Sequence, residues 1–190
     1  MKNLRFALFI LASLLILTAV AWNMVCSEIT LRYGSLHRMK IQGFDPHDPF
    51  RGRYLAFAMP SAARDGGFPE QALTGYVTVE RGADGMSYFG TLTATAPDGG
   101  SFLRVRRRYP RRREPKSFEP PFSRFYLNEK LAPEAERILN EALRDPARQA
   151  VIAFRVHRGR AAPADLEIDG RSIAILAREA AAGKNTAPPR

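Results

Sequence analysis

Eight cations fall within thirteen residues: Arg104, Arg106, Arg107, Arg108, Arg111, Arg112, Arg113 and Lys116, opposed only by Glu114. Guanidinium and ammonium groups at this density attract anions, whether phospholipid headgroups, an acidic protein surface or nucleic acid. If Ser101 to Tyr109 is extended, alternation puts Phe102, Arg104, Arg106 and Arg108 on one face. Leu103, Val105, Arg107 and Tyr109 take the other. Pro110 and Pro115 hold the basic loop that follows open. A second cluster, Asp45, His47 and Asp48, offers metal-type donors within four residues. Prolines on both sides hinder their convergence, and turn chemistry explains the same residues.

Hydrolytic chemistry finds less support. His37, His47 and His157 lie far apart, with no Gly-x-Ser-x-Gly stretch and no His-x-x-x-His pair. Asp165, Glu167 and Asp169 alternate on one face of a strand end and read as a solvated edge. No residue is assigned a catalytic, metal-binding or cofactor-binding role, and no cofactor is expected. With one cysteine, Cys26, the chain can form no internal disulfide and no cysteine-rich metal site.

The anion that the basic run meets depends on where the chain resides. Lys2 and Arg5 precede an apolar run from Phe6 to Cys26, interrupted only by Ser13, Thr18 and Asn23. About 20 helical residues cross a hydrocarbon core of roughly 30 Å. The leading charges favour an N-terminus inside and the remainder outside. Residues 1–26 therefore read as a single-pass membrane anchor, with Trp22 suited to the interface. A cleaved signal peptide is the alternative, because Ala19-Val20-Ala21 is an acceptable cleavage site. A domain outside the cytoplasm rarely meets nucleic acid, so the net charge of +10 points to headgroups or a partner protein.

Residues 27–176 are long enough for one domain with its own core. Leu36–Gln42, Arg53–Met59, Gly75–Glu80, Ser87–Thr95, Ser101–Tyr109 and Gln149–His157 read as strands. Val77 and Val79 oppose Tyr76, Thr78 and Glu80. Pro163–Ile168 and Arg171–Ile175, joined by Asp169-Gly170, read as a closing hairpin. Pro133–Arg144 is a helix: proline opens it, Asp145-Pro146 stops it, and Ala135, Ile138, Leu139 and Ala142 form one apolar stripe. The expected fold is mainly β, an antiparallel sheet curled into a small barrel or sandwich with one covering helix. Residues 177–190 are expected to fray as a tail.

The stretch from Gly43 to Pro60 reads GFDPHDPFRGRYLAFAMP. Asp45-Pro46 and Asp48-Pro49 set an extended residue before each fixed turn. Phe50 can plug a core end, and Gly52 can kink the strand that follows. This elbow, Asp45, Pro46, Asp48, Pro49, Phe50, Arg51, Gly52 and then Tyr54, resembles that of the GDYXXLXY proteins, a family of membrane-anchored bacterial proteins. Gly52 and Tyr54 match the family's namesake motif, whereas Arg53, Phe57 and Met59 stand where it has Asp, Leu and Tyr. The aromatic segment Phe122–Leu127 and the closing LEIDG are also similar to the family's. The resemblance implies a single-pass protein with a β-rich periplasmic domain beside a polytopic membrane protein, and carries no catalytic residue. Together these features suggest an accessory binding domain. A hydrolase acting on an envelope polymer and a secreted soluble binder stay open as alternatives.

Overall fold

The computed structural model describes residues 2–42, 54–69, 71–108 and 118–185. The elbow residues Asp45, Pro46, Asp48, Pro49, Phe50, Arg51 and Gly52, with Arg53, and the loop cations Arg111, Arg112, Arg113 and Lys116 lie outside them. So does the Asp45–His47–Asp48 donor cluster.

A long helix, α1 (Lys2–Tyr33), leads the chain. Its apolar part is long enough to cross a membrane by length and composition, and none of that stretch is buried against the body. Beyond it, β1 (Ser35–Lys40), β9 (Ala150–His157), β10 (Arg160–Ile168) and β11 (Arg171–Ser172) form an antiparallel sheet in that spatial order. A second sheet is ordered β3 (Arg64–Asp65), β5 (Ser87–Thr93), β4 (Thr74–Arg81), β6 (Phe102–Arg107) and β7 (Phe118–Glu119). Its β3–β5 pair is parallel and the others are antiparallel. A small third sheet pairs β2 (Tyr54–Ala56) with β8 (Arg124–Tyr126). Mostly antiparallel sheets, including a curled half-barrel, agree with the mainly β fold that the alternating segments imply.

The alternation works as pleated geometry requires. Val77 and Val79 point to the core while Glu80 faces solvent, and Leu103 and Val105 are buried between exposed Arg104 and Arg106. Loosely patterned β1 also obeys the rule, with His37, Met39 and Ile41 buried in turn. β9 is an interior strand, buried from Ala150 to Phe154 on both faces, because β1 and β10 flank it and helix α2 packs on it.

Helix α2 (Ala132–Arg144) buries the expected stripe of Ala135, Ile138, Leu139 and Ala142. It packs against β2, β9 and another helix, α3 (Ile173–Asn185). That second covering helix corrects the closing segment. The hairpin pairs only Ile168 with Arg171 and Glu167 with Ser172 before the chain turns helical. Ile173 and Ala177 are fully buried, and Leu176 and Ala180 pack on the core. Positions i, i+3, i+4 and i+7 share one helix face. Burial against α2 overrides the strand-like alternation of Ile173 and Ile175, leaving Ile175 exposed. Residues 177–185 are thus helical, packed on the core as far as Ala180, where the sequence suggested a fraying tail.

Candidate functional site

Where α1 meets the body, the chain makes a tight corner. Gly34 N–H donates to the Thr30 carbonyl at 3.0 Å, closing the last helical turn. Gly34 carbonyl in turn accepts a bond from Arg155 Nη1 on β9 at 3.0 Å. Thr30 is buried there, its hydroxyl donating back to the Cys26 carbonyl. The last turns of α1 therefore lie against β9 and β10.

A cleft of about 560 Å³ opens at this corner. One wall is a single face of α1, since Asn23, Cys26, Ser27 and Thr30 recur at helical spacing. The other wall carries Tyr76 of β4, Arg104 of β6, and Arg158 and Arg160 at the tip of the β9–β10 hairpin. The tip is a two-residue turn in which Arg158 and Gly159 both have positive φ, 46° and 79°. That is the backbone of a type I′ turn, whose twist matches its strands. Gly159 is buried against β6: its carbonyl accepts from Arg104 N–H at 2.8 Å. A Cβ there would come within 3.2 Å of the Phe102 ring. This docking brings Arg104 together with Arg158 and Arg160, more than 50 residues further along the chain.

All three arginines are solvent-exposed, and among the described residues no side-chain hydrogen bond or ion pair engages any of them. Other arginines are paired with carboxylates, among them Arg38 with Glu167, Arg64 with Glu80, Arg148 with Asp169 and Arg171 with Glu179. The cleft is thus a cationic concavity with hydroxyl and amide neighbours, suited to a phosphate-like anion.

The other basic-run residues separate. Arg106 and Arg108 are exposed on the strand side that alternation assigns them. Arg107 turns inward. Its Nη1 donates to the Pro69 carbonyl at 3.0 Å and its guanidinium stands 5.6 Å from the Phe68 ring centre. Sequence reasoning identified Arg104 but missed Arg158 and Arg160. The legible signal was Arg158-Gly159 between two strand-like runs, a two-residue hairpin turn.

The described part of the namesake motif is mostly a packing pattern. Leu55, Phe57 and Met59 all point into the core, so the motif's Leu and Tyr positions are filled by buried Phe57 and Met59. Tyr54 faces outward instead, its ring 4.7 Å from the Arg124 guanidinium and 5.9 Å from the Tyr126 ring. Asp165, Glu167 and Asp169 do not converge. Asp165 accepts from Ser172 Oγ, Glu167 pairs Arg38, and Asp169 holds Arg148 and the Gln149 N–H. Among the described residues no group of three or more His, Cys, Asp or Glu side chains could hold a metal ion.

One buried polar constellation was not anticipated. His37 Nδ1 lies 3.0 Å from Ser87 Oγ and Nε2 lies 3.0 Å from Ser101 Oγ. Its ring stacks on Phe154, the residue opposite it on β9. A Ser–His contact can activate a nucleophile, but Ser87 is fully buried. The three side chains instead join the two large sheets, with one neutral imidazole serving as both donor and acceptor. Burial, and secondarily the nearby Arg81 charge, lowers the His37 pKa below its ordinary 6.5. The unfolded chain therefore takes the proton more readily, and stability drains as pH falls from about 6.5 towards the lowered folded value. Above about pH 6.5 the contribution is complete. The urea midpoint of the full chain in neutral micelles is expected to drop between pH 7.5 and 5.5. His37→Gln should flatten most of that slope; an unchanged slope would assign the titration elsewhere.

No curated protein and no solved structure matches the chain. The model of the GDYXXLXY protein family matches residues 16–166, from the middle of α1 through most of β10. That span takes in the end of the apolar helix, the packed motif strand and the hairpin tip that lines the cleft, and the chain belongs to the GDYXXLXY family.

Proposed function

We infer that the protein is a single-pass inner-membrane protein whose β-rich body stands in the periplasm and binds rather than catalyses. It serves as an accessory part of a membrane complex, beside a polytopic partner. The observation that carries this reading is the division of α1. None of its apolar stretch is buried, as suits an anchor in lipid, while its last turns are packed into the body. Such a helix fixes the body's orientation to the bilayer and does not merely tether it. Lys2 and Arg5 at its start favour retention of the N-terminus inside. Arg106 and Arg108 then offer an exposed basic surface to headgroups or to an acidic partner.

The full chain is expected in the membrane pellet after a carbonate wash, with its N-terminal segment intact by mass spectrometry. Pull-down from mild detergent should recover a polytopic membrane protein. A soluble, unprocessed chain after gentle lysis would overturn the reading. Replacing Arg106 and Arg108 with Glu should weaken any headgroup- or partner-dependent retention, in proportion to salt screening.

A further inference from the structure

We propose that the cleft between α1 and the hairpin tip binds the phosphate of an anionic phospholipid. The proposal rests on the membrane reading above for the ligand's source, and on the cleft's own geometry for its chemistry.

Three arginines line one concavity, exposed and, among the described residues, without a carboxylate partner. Like charges gathered this way repel one another, and a bound anion relieves the repulsion. Arginine is the side chain best matched to phosphate, because its planar fork donates two parallel bonds. Tyr76 and Asn23 line the same space, and a phenol and an amide can add neutral donors.

Depth selects the lipid over other phosphates. From Phe6 to Cys26, α1 rises about 30 Å, the thickness of the hydrocarbon core. The face presented by Asn23, Cys26, Ser27 and Thr30 therefore stands where headgroup phosphates lie. A lipid held there keeps its acyl chains alongside the exposed apolar helix.

The backbone supports the same conclusion. A type I′ turn favours Asn-Gly, and a residue other than Gly or Asn in the left-handed region is strained. Arg158 occupies that position at φ 46°. Strain retained at a turn whose side chain lines a cationic cleft fits a binding role.

The test uses the full-length chain in mild detergent, incubated with phosphatidylglycerol and measured by native mass spectrometry. One tightly retained phosphatidylglycerol per chain is expected. Arg104→Gln combined with Arg160→Gln should lower its retention at least about tenfold, through loss of two charge-assisted contacts. Arg144→Gln with Arg178→Gln, exposed on α2 and α3 and outside the cleft, should leave it unchanged. Arg158→Asn separates binding from folding, because Asn suits the turn. It should raise the unfolding midpoint while weakening lipid retention. Equal retention by wild type and the Arg104/Arg160 variant overturns the site, even with the chain firmly in the membrane. Inorganic phosphate bound as tightly as the lipid, with the same arginine dependence, overturns the lipid assignment. Recovery of a mature chain lacking α1 overturns the membrane reading itself, and with it the lipid source.

Discussion

Replacing Phe154 with alanine is expected to destabilise the body by about 3–5 kcal/mol, the usual range for removing a buried aromatic ring. The residue is fully buried on the interior strand β9. Its ring stacks on His37 at 5.7 Å and meets Phe122 edge-on at 5.6 Å, and Phe122 in turn meets Phe57 at 6.4 Å. This file of rings links the motif strand, the β8 approach and the His37–Ser bridge between the sheets. An empty space there removes contacts from every side at once, and the surrounding strands, hydrogen-bonded in register, cannot collapse to fill it. Whole domains carry only about 5–15 kcal/mol, so the loss threatens folding itself. Urea unfolding of the full chain in micelles, followed by near-ultraviolet circular dichroism, measures it. Phe154→Leu, which keeps more of the buried area, should cost clearly less. Exposed Arg106→Ala should stay within about 0.5 kcal/mol of wild type. An alanine variant as stable as the arginine control would deny Phe154 its central place in the core.

Gly34→Ala is expected to loosen the joint between α1 and the body, at a cost of about 1–3 kcal/mol typical of an overpacked site. The added Cβ would lie 2.4 Å from the Thr30 carbonyl oxygen, 3.0 Å from the Val156 carbonyl oxygen and 3.0 Å from Arg155 Cβ. Two of those atoms are backbone and the third is a Cβ, so no rotamer change makes room. The helix must shift off β9, which strains the bond between Arg155 and the Gly34 carbonyl and the packing of buried Thr30. Amide hydrogen exchange reports this directly: protection across the last turn of α1 and at Gly34 should fall, while β4 and β5 keep theirs. Because the cleft is formed between this helix face and the hairpin tip, the same variant should also weaken phosphatidylglycerol retention without touching an arginine. Unchanged exchange around Gly34 would mean that the corner accommodates a side chain and does not fix the helix.

These residues also show how far the sequence reaches. Patterns that are local in the chain were legible. The uncharged run from Phe6 to Cys26 dictates a helix suited to lipid. Val77 and Val79, then Leu103 and Val105, dictate strands with one buried face. Ala135, Ile138, Leu139 and Ala142 dictate the inner side of α2. Each follows from a backbone period acting on neighbouring side chains. The closing segment shows the limit within one stretch of chain. Ile173 and Ile175 alternate as a strand would, and Ile173, Leu176, Ala177 and Ala180 recur as a helix would. Packing against α2 chose between two patterns that the same letters satisfy.

What tertiary structure alone decided is which distant residues meet. His37 reaches Ser87 and Ser101 only because the two sheets face each other across the core. Arg107 belongs to the basic run by spacing, yet it is drawn away from solvent by Phe68 and the Pro69 carbonyl. Arg104 joins Arg158 and Arg160 because buried Gly159 docks the hairpin tip on β6, and α1 closes the far wall. Periodicity reports which way a side chain faces relative to its own element. It carries no information about which element lies opposite, since that is settled by the burial of the whole core at once.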